Sequence, residues 1–474
     1  MRDIVFFILI FGLIPFILWR PWIGIPAWYW VGLMNPHRLA WGFLPGMPVA
    51  MAVGLTTLVA LLFARERRPP PLTRETVVLI ALFAHITVIS LFFAWQPEVA
   101  FERWDTVMKI MLMTVVATML VSGQARVMVL LAVITLSVAF FGFKGGPYTL
   151  ATGFGGMVLG PPGTFIGGNT DIGLALVMTL PLVLVLARQV HQGHFRLPFH
   201  SPFFERWHRL IGLALYAGFW LHLISIVGTH SRGAWVATAV IFPLIFLSMR
   251  HKAAMVGAGL LVVAVVGFTV PEKVEHQIDT LIHYQEDASA GGRLDAWNVS
   301  WNLALDHPFT GSGMSIQRLP APIWLSYLDR DDAVVTGPIA AHSIYFQMLG
   351  EHGFLGLGLF LALLGFSLLT LLRLYRQGRQ HAETVWISQW AWALALGLVG
   401  YMVGGAFLSL AYFDLYLAFV ALAIILRREL KETVVAAAPA VASTAQPRTS
   451  PASPPEGSRP PEVPGTIMDA GRLR

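Results

Sequence analysis

The stretch Thr170-Asp-Ile-Gly-Leu-Ala-Leu-Val-Met-Thr-Leu-Pro-Leu-Val-Leu-Val-Leu-Ala-Arg188 decides the fold class. Between Asp171 and Arg188 it carries no charge, and a run of about 18 such residues is long enough to cross a bilayer as a helix. The pattern repeats along the chain. Apolar blocks fall at roughly 4–18, 44–64, 76–94, 104–121, 126–141, 170–188, 210–227, 233–249, 253–270, 353–373, 385–409 and 412–427. Across all 474 residues, 56% are hydrophobic and 12% charged, against about a quarter charged in soluble domains. The expected fold is therefore all-α, a polytopic membrane protein of about twelve transmembrane helices.

Residues 22–34 are a further apolar block, short and rich in tryptophan. They either lie at the interface, where indole rings prefer to sit, or complete a broken first span. Residues 1–18 read as a retained helix, because Trp19-Arg20-Pro21-Trp22 follows them in place of a small-residue cleavage site. The +6 formal charge does not indicate nucleic acid, because the basic residues cluster in short loops between apolar blocks. These loops hold Arg65, Arg67 and Arg68, then Arg188 and Arg196, then Arg373, Arg376 and Arg379, then Arg427 and Arg428. With twelve spans they share one side, which the positive-inside bias makes cytoplasmic, and both termini join them there. No cysteine is present, so disulfide and thiolate-metal chemistry are excluded.

The chain divides into four regions. Residues 1–270 form the N-terminal transmembrane helices, with a glycine- and proline-rich outer loop at 142–168. Residues 271–341 form a periplasmic loop with two amphipathic helical stretches, broken at Gly291-Gly292, expected as a helical cap. Residues 342–432 are the C-terminal transmembrane helices. Residues 433–474, rich in Ala, Pro and Ser, read as a disordered cytoplasmic tail.

Cations on the outer side are few, and each calls for a reason. Lys144 ends a span in Phe-Lys-Gly-Gly-Pro, Arg232 sits in Thr-His-Ser-Arg-Gly-Ala-Trp, and Arg293 follows Gly291-Gly292. A diphosphate at the membrane surface needs cations at that depth, and arginine offers two parallel donors. Snorkelling to headgroups is the structural alternative. His342 stands where the outer loop re-enters the membrane, with Tyr345 one turn on, and imidazole suits proton transfer near neutral pH or the capping of a helix. Asn169 and Asp171 can contact a sugar or cap their own helix. Asp329-Arg330-Asp331-Asp332 contains an Asp-x-Asp, read here as a solvated turn, so no metal site is expected. No Walker-type loop occurs, and no cofactor is expected. Gly353, Gly356 and Gly358 read as close-packing positions in a membrane helix.

Together, Gly168-Asn-Thr-Asp171, Ser231-Arg-Gly-Ala-Trp235, Gly292-Arg293 with Trp297, Pro308-Phe-Thr-Gly311-Ser-Gly313, and His342-Ser343 with Glu351, Gly353 and Gly356 resemble the O-antigen ligase and polymerase superfamily. The first part, with Trp28-Tyr-Trp30 and Asn35-Pro-His37, resembles putative O-glycosylation ligases. The resemblance implies a GT-C-like fold and an inverting, metal-independent glycosyltransferase. Its donor would be an undecaprenyl-diphosphate-linked glycan and its acceptor the sugar of lipid A–core. It implies a site facing the periplasm from the inner membrane, with Arg232 and Arg293 on the diphosphate and His342 catalytic. Lys144 joins the diphosphate set by its location alone. A protein O-oligosaccharyltransferase, an O-antigen polymerase and a flippase of the lipid-linked glycan are the competing readings. Charges gathered at outer span ends disfavour the last, since a transporter buries them along a path.

Overall fold

A computed structural model describes residues 1–248 and 288–444. All regular structure among these residues is helical. In chain order the α-helices are α1 Arg2–Phe11, α2 Leu13–Trp19, α3 Gly24–Tyr29, α4 Val49–Phe63, α5 Arg74–Val88, α6 Pro97–Leu120, α7 Gln124–Ala151, α8 Asn169–His191, α9 Pro202–Gly228, α10 Arg232–Leu247, α11 Ala288–Asp306, α12 Ala321–Leu325, α13 Ile344–Gln377, α14 Val385–Gly404 and α15 Asp414–Thr444. Met1–Thr433 is one compact unit, and Val434–Arg474 is a second.

Among the described residues seven helices are long and apolar enough to cross a membrane, and α4 and α10 are shorter apolar helices. The chain is a multi-pass membrane protein. These nine helices coincide with nine of the expected twelve spans. Residues 104–120 lie in α6, whose stretch from Glu98 to Lys109 carries Glu98, Glu102, Arg103, Asp105 and Lys109. Residues 412–427 lie largely in α15, and 253–270 lie outside the described residues. The first block is divided at Gly12 into α1 and α2.

The Thr170–Arg188 stretch becomes α8, the axis of the bundle. It packs against α7, α9, α10 and α14, and from Ile172 to Ala187 every residue is buried. A helix apolar on all sides belongs in an interior, here one made by other helices.

Residues 22–34 run back through the protein. Gly24–Ala27, Tyr29, Val31 and Leu33 are buried there, so this block is neither interfacial nor an extension of the first span. At one end Asp3 Oδ1 accepts the backbone N–H groups of Gly42 (2.9 Å) and Leu44 (3.2 Å), and Arg2 stacks over Trp41. At the other end Arg126 lies over the Trp22 ring and pairs with Glu66 at 2.6 Å. Met1 and Arg65 therefore sit at opposite ends of this unit, which does not fit an N-terminus on the side of the Arg65 loop. The sequence reading missed this because its twelve spans counted a short, tryptophan-rich block as non-crossing.

Three further boundaries differ from expectation. Helix α7 continues to Ala151, ten residues into the expected outer loop. The glycines there serve packing: a Cβ at Gly146 would run into the Leu221 backbone of α9. Gly291-Gly292 does not break a helix, since both lie inside α11, and the stretch before Ala288 is outside the described residues. Helix α15 reaches Thr444, so the expected disorder does not begin at residue 433, and residues 445–474 are outside the described residues.

Candidate functional site

The centre of the site is a joint between α11 and the start of α13. Trp297 donates its indole N–H to the Ala341 carbonyl at 2.7 Å and stacks on Phe346, with ring centroids 4.8 Å apart and planes 6° from parallel. Arg293 is four residues before Trp297, one turn along the same helical face. It is half-buried, and its Nε has no hydrogen-bond partner among the described residues. His342 follows Ala341 directly. Crowding around its imidazole holds the pKa below the ordinary 6.5, and the Arg293 charge adds to the shift. The residue as a whole is nevertheless exposed. The result is an imidazole biased toward its neutral form, on an exposed residue within electrostatic reach of an arginine. His342 also has φ +45°, the left-handed region that costs a non-glycine residue of order 1–3 kcal/mol and persists where surrounding structure enforces it.

Arg232 is carried to the same end of the bundle by α10. The Ser231 hydroxyl accepts the Ala234 N–H at 3.3 Å and so fixes where α10 begins. The segment Met402–Phe407, closing α14, lies between α10 and α13. Gly233 packs on Phe407 and Gly405 on Ile344, while Tyr345 donates its hydroxyl to the Met402 carbonyl at 2.8 Å. Asn169 donates its side-chain amide to the Thr229 carbonyl at 3.0 Å, tying the head of α8 to the turn before Arg232. The Gly168 N–H donates to Asp171 Oδ2 at 3.1 Å. In this structure Asn169, Asp171 and Tyr345 thus each tie one side-chain polar atom to backbone beside the segments that carry the cations.

Lys144 is placed apart. It is exposed on α7 and lines a cavity of about 310 Å³ with Arg38, Tyr148 and the 157–162 loop, and neither Arg232, Arg293 nor His342 lines that cavity.

The Asp329–Asp332 cluster is a salt-bridged turn. Arg330 reaches down to Asp295 at 2.9 Å and across to Asp332 at 2.8 Å. Asp295, buried in α11, also accepts the N–H groups of Val334 (2.8 Å) and Val335 (3.1 Å). Among the described residues no group of three or more His, Asp or Glu gathers as a metal would require.

Two supporting features were not singled out from the sequence for the parts they play. Asp295, between Arg293 and Trp297, anchors the loop that leads to His342; a lone acid two residues from an arginine gave no signal of it. Glu351, buried in α13, accepts the Ser315 N–H at 2.9 Å and the Tyr412 hydroxyl. Close by, the 308–313 motif is sewn to α13 by Ser312 N–H to Gly350 O (3.0 Å) and Phe354 N–H to Pro308 O (2.7 Å). Gly353 makes this possible, with φ +64° and a Cβ position occupied by the Pro308 carbonyl. Gly356 packs toward His85, whereas nothing among the described residues lies within 4 Å of a Cβ at Gly358, so they give it no packing partner.

Residues 217–361 match the family model described as O-antigen ligase. Residues 1–191 match a family of unknown function, DUF5935. No curated protein matches the chain. The first match spans Arg232, Arg293, Trp297 and His342, and Lys144, Asn169 and Asp171 lie outside it.

Proposed function

We propose, for a chain whose residues 217–361 match the family model described as O-antigen ligase, that it is an O-antigen ligase. It joins a glycan from undecaprenyl diphosphate to a sugar hydroxyl of lipid A–core at the periplasmic face of the inner membrane. The observation that carries this reading is the joint of Trp297 and Ala341, which sets a neutral histidine beside an arginine at one end of a membrane bundle.

The chemistry needs a base and a cationic cradle. The acceptor oxygen attacks the anomeric carbon as the bond from that carbon to the diphosphate oxygen breaks on the opposite face, which inverts the centre. The acceptor's proton passes to the free imidazole nitrogen of His342. Arg293 and Arg232 hold the diphosphate and offset the charge that builds on its leaving oxygen, a preorganised role that often dominates catalysis. Arg293, whose buried Nε has no hydrogen-bond partner among the described residues, has donor capacity to give to a phosphate oxygen. Asn169, Asp171 and Tyr345 act as positioning residues, through the backbone they hold.

The test is reconstitution of the purified full-length chain with an undecaprenyl-diphosphate glycan, offering lipid A–core, a serine- and threonine-containing peptide and free glycan chains in parallel. Transfer to lipid A–core supports the ligase. Transfer to peptide or to glycan alone replaces it with an oligosaccharyltransferase or a polymerase. Donor movement across the bilayer without transfer leaves a flippase.

A further inference from the structure

The N-terminal helices hold a mostly apolar space that none of Arg232, Arg293 and His342 lines. A cavity of about 470 Å³ opens between the 22–34 segment, α4 and α6, walled by Trp28, Leu55, Leu58 and Met113. Arg38 lines this cavity and also the 310 Å³ cavity that contains Lys144. A single loop borders both, residues 157–162 on one side and 163–165 on the other. Hydrocarbon walls thus adjoin a pair of cations at the end of the unit that carries Asn169.

The charges favour an anion. Neither Arg38 nor Lys144 makes an ion pair among the described residues, and both are exposed. Lys109 also lines the larger cavity but is paired with Asp105. Asp414, the one acid on its wall, accepts the Leu415 N–H at 2.8 Å. His37, nine-tenths buried, lines the same cavity with an Nδ1 that has no hydrogen-bond partner among the described residues. Two cations without an ion pair among the described residues, bordering an apolar wall, mark where a headgroup meets its chains.

We propose that Arg38, Lys144 and the cavity between the 22–34 segment, α4 and α6 form a second lipid site, which takes a phosphorylated glycolipid by its acyl chains and its phosphate. The proposal rests on the ligase reading, in which this lipid is the acceptor: a donor diphosphate already has Arg232 and Arg293, and an acceptor anchored in the same membrane needs its own seat. Its acyl chains lie among Trp28, Leu55 and Leu58, and its phosphate faces Arg38 and Lys144.

The experiment measures binding to the purified full-length chain by native mass spectrometry and in phosphatidylcholine nanodiscs. The probes are diphosphorylated lipid A, its dephosphorylated form, phosphatidylglycerol and undecaprenyl phosphate. Phosphorylated lipid A should bind about tenfold more tightly than the dephosphorylated form, the size of one charge-assisted contact. The double variant Arg38→Gln/Lys144→Gln should erase that preference; both side chains are exposed, so the fold should tolerate the change. Ala50→Phe, which fills the cavity, should weaken both lipid A forms alike. A preference that survives in the double variant overturns the site. Equal binding of phosphatidylglycerol or undecaprenyl phosphate overturns the acceptor lipid as its occupant. Because binding is read without donor, lipid A bound as stated while glycan passes only to peptide would sink the ligase reading and leave the lipid site standing.

Discussion

Trp297 and Ala341 are joined by one 2.7 Å hydrogen bond across 44 residues of sequence, and that bond determines where His342 stands relative to Arg293. The bond comes from a half-buried indole whose ring is fixed by stacking on Phe346, so the backbone entering α13 has little freedom. Trp297→Phe keeps an aromatic ring and loses the N–H, and transfer per folded molecule should fall about tenfold. Trp297→Ala loses both, and a displacement of order 1 Å at a reacting group costs about 10²-fold. Diphosphate-lipid binding measured alongside should change far less than turnover. Equal loss in both would assign Trp297 to donor binding.

His342→Ala should fold and still bind the donor, while turnover falls by about 10²–10⁴-fold, as for a lost general base. The pH profile supplies a second reading. Because the imidazole pKa is held below 6.5, the base is free at pH 7 and is lost only as pH falls through that lowered value. The acid limb of wild-type turnover should therefore lie below pH 6.5, and the residual activity of the variant should lack it. Normal turnover in folded His342→Ala protein would reduce His342 to a structural turn.

Arg293→Ala and Arg232→Ala should each weaken donor binding and transfer, and lysine at either position should restore only part, since it keeps the charge but not the planar fork. Donor titration of each variant separates this from misfolding. Full activity in the double alanine protein would remove both arginines from the site.

Asp331→Ala should retain activity, and transfer should continue in excess chelator. Arg330→Ala should instead destabilise the α11 region by about 3 kcal/mol, because it leaves Asp295 buried without its cation. Thermal unfolding reads the second effect. Chelator-sensitive transfer rescued by magnesium or manganese would reinstate the Asp-x-Asp as a metal site.

Sidedness follows from Asp3 and Arg126. With the Arg65 loop cytoplasmic, a label at Met1 should be accessible from the periplasm, together with one at Gly163, because Asp3 caps the Gly42–Leu44 turn while Trp22 lies by Arg126 and Glu66. Labels at Met1 and Arg68 reacting from the same side would break the described arrangement.

Much of the frame was legible in the sequence, because bilayer helices are long, apolar and locally encoded. The α8 stretch announced both its type and its burial, since a segment without a polar face has no surface to offer water. Asp171 stood at a helix start, where an acid commonly serves the backbone, and it accepts the Gly168 N–H there; Asn169, read as capping the same helix or holding a sugar, instead reaches the Thr229 carbonyl. The ends were less legible. Gly142–Pro147 has the composition of a loop but the packing needs of a close helix pair, and composition does not distinguish the two.

The amino-acid order by itself determined an all-helical membrane chain and put at the ends of its apolar blocks the residue types from which a diphosphate site and a base are proposed. Each of these is written within a few consecutive residues. Tertiary structure alone decided which of those residues meet. Arg293 and His342 are 49 positions apart, and the Trp297 bond to Ala341, together with Asp295 holding Val334 and Val335, brings their segments into register. Lys144 has the same charge and an equally suitable place in the sequence, yet α7 carries it to Arg38. The physical reason is that charge and periodicity are properties of short segments, whereas convergence depends on how rigid helices pack. That packing is set by contacts such as Gly146 on Leu221 and Gly353 on Pro308, which no local pattern encodes.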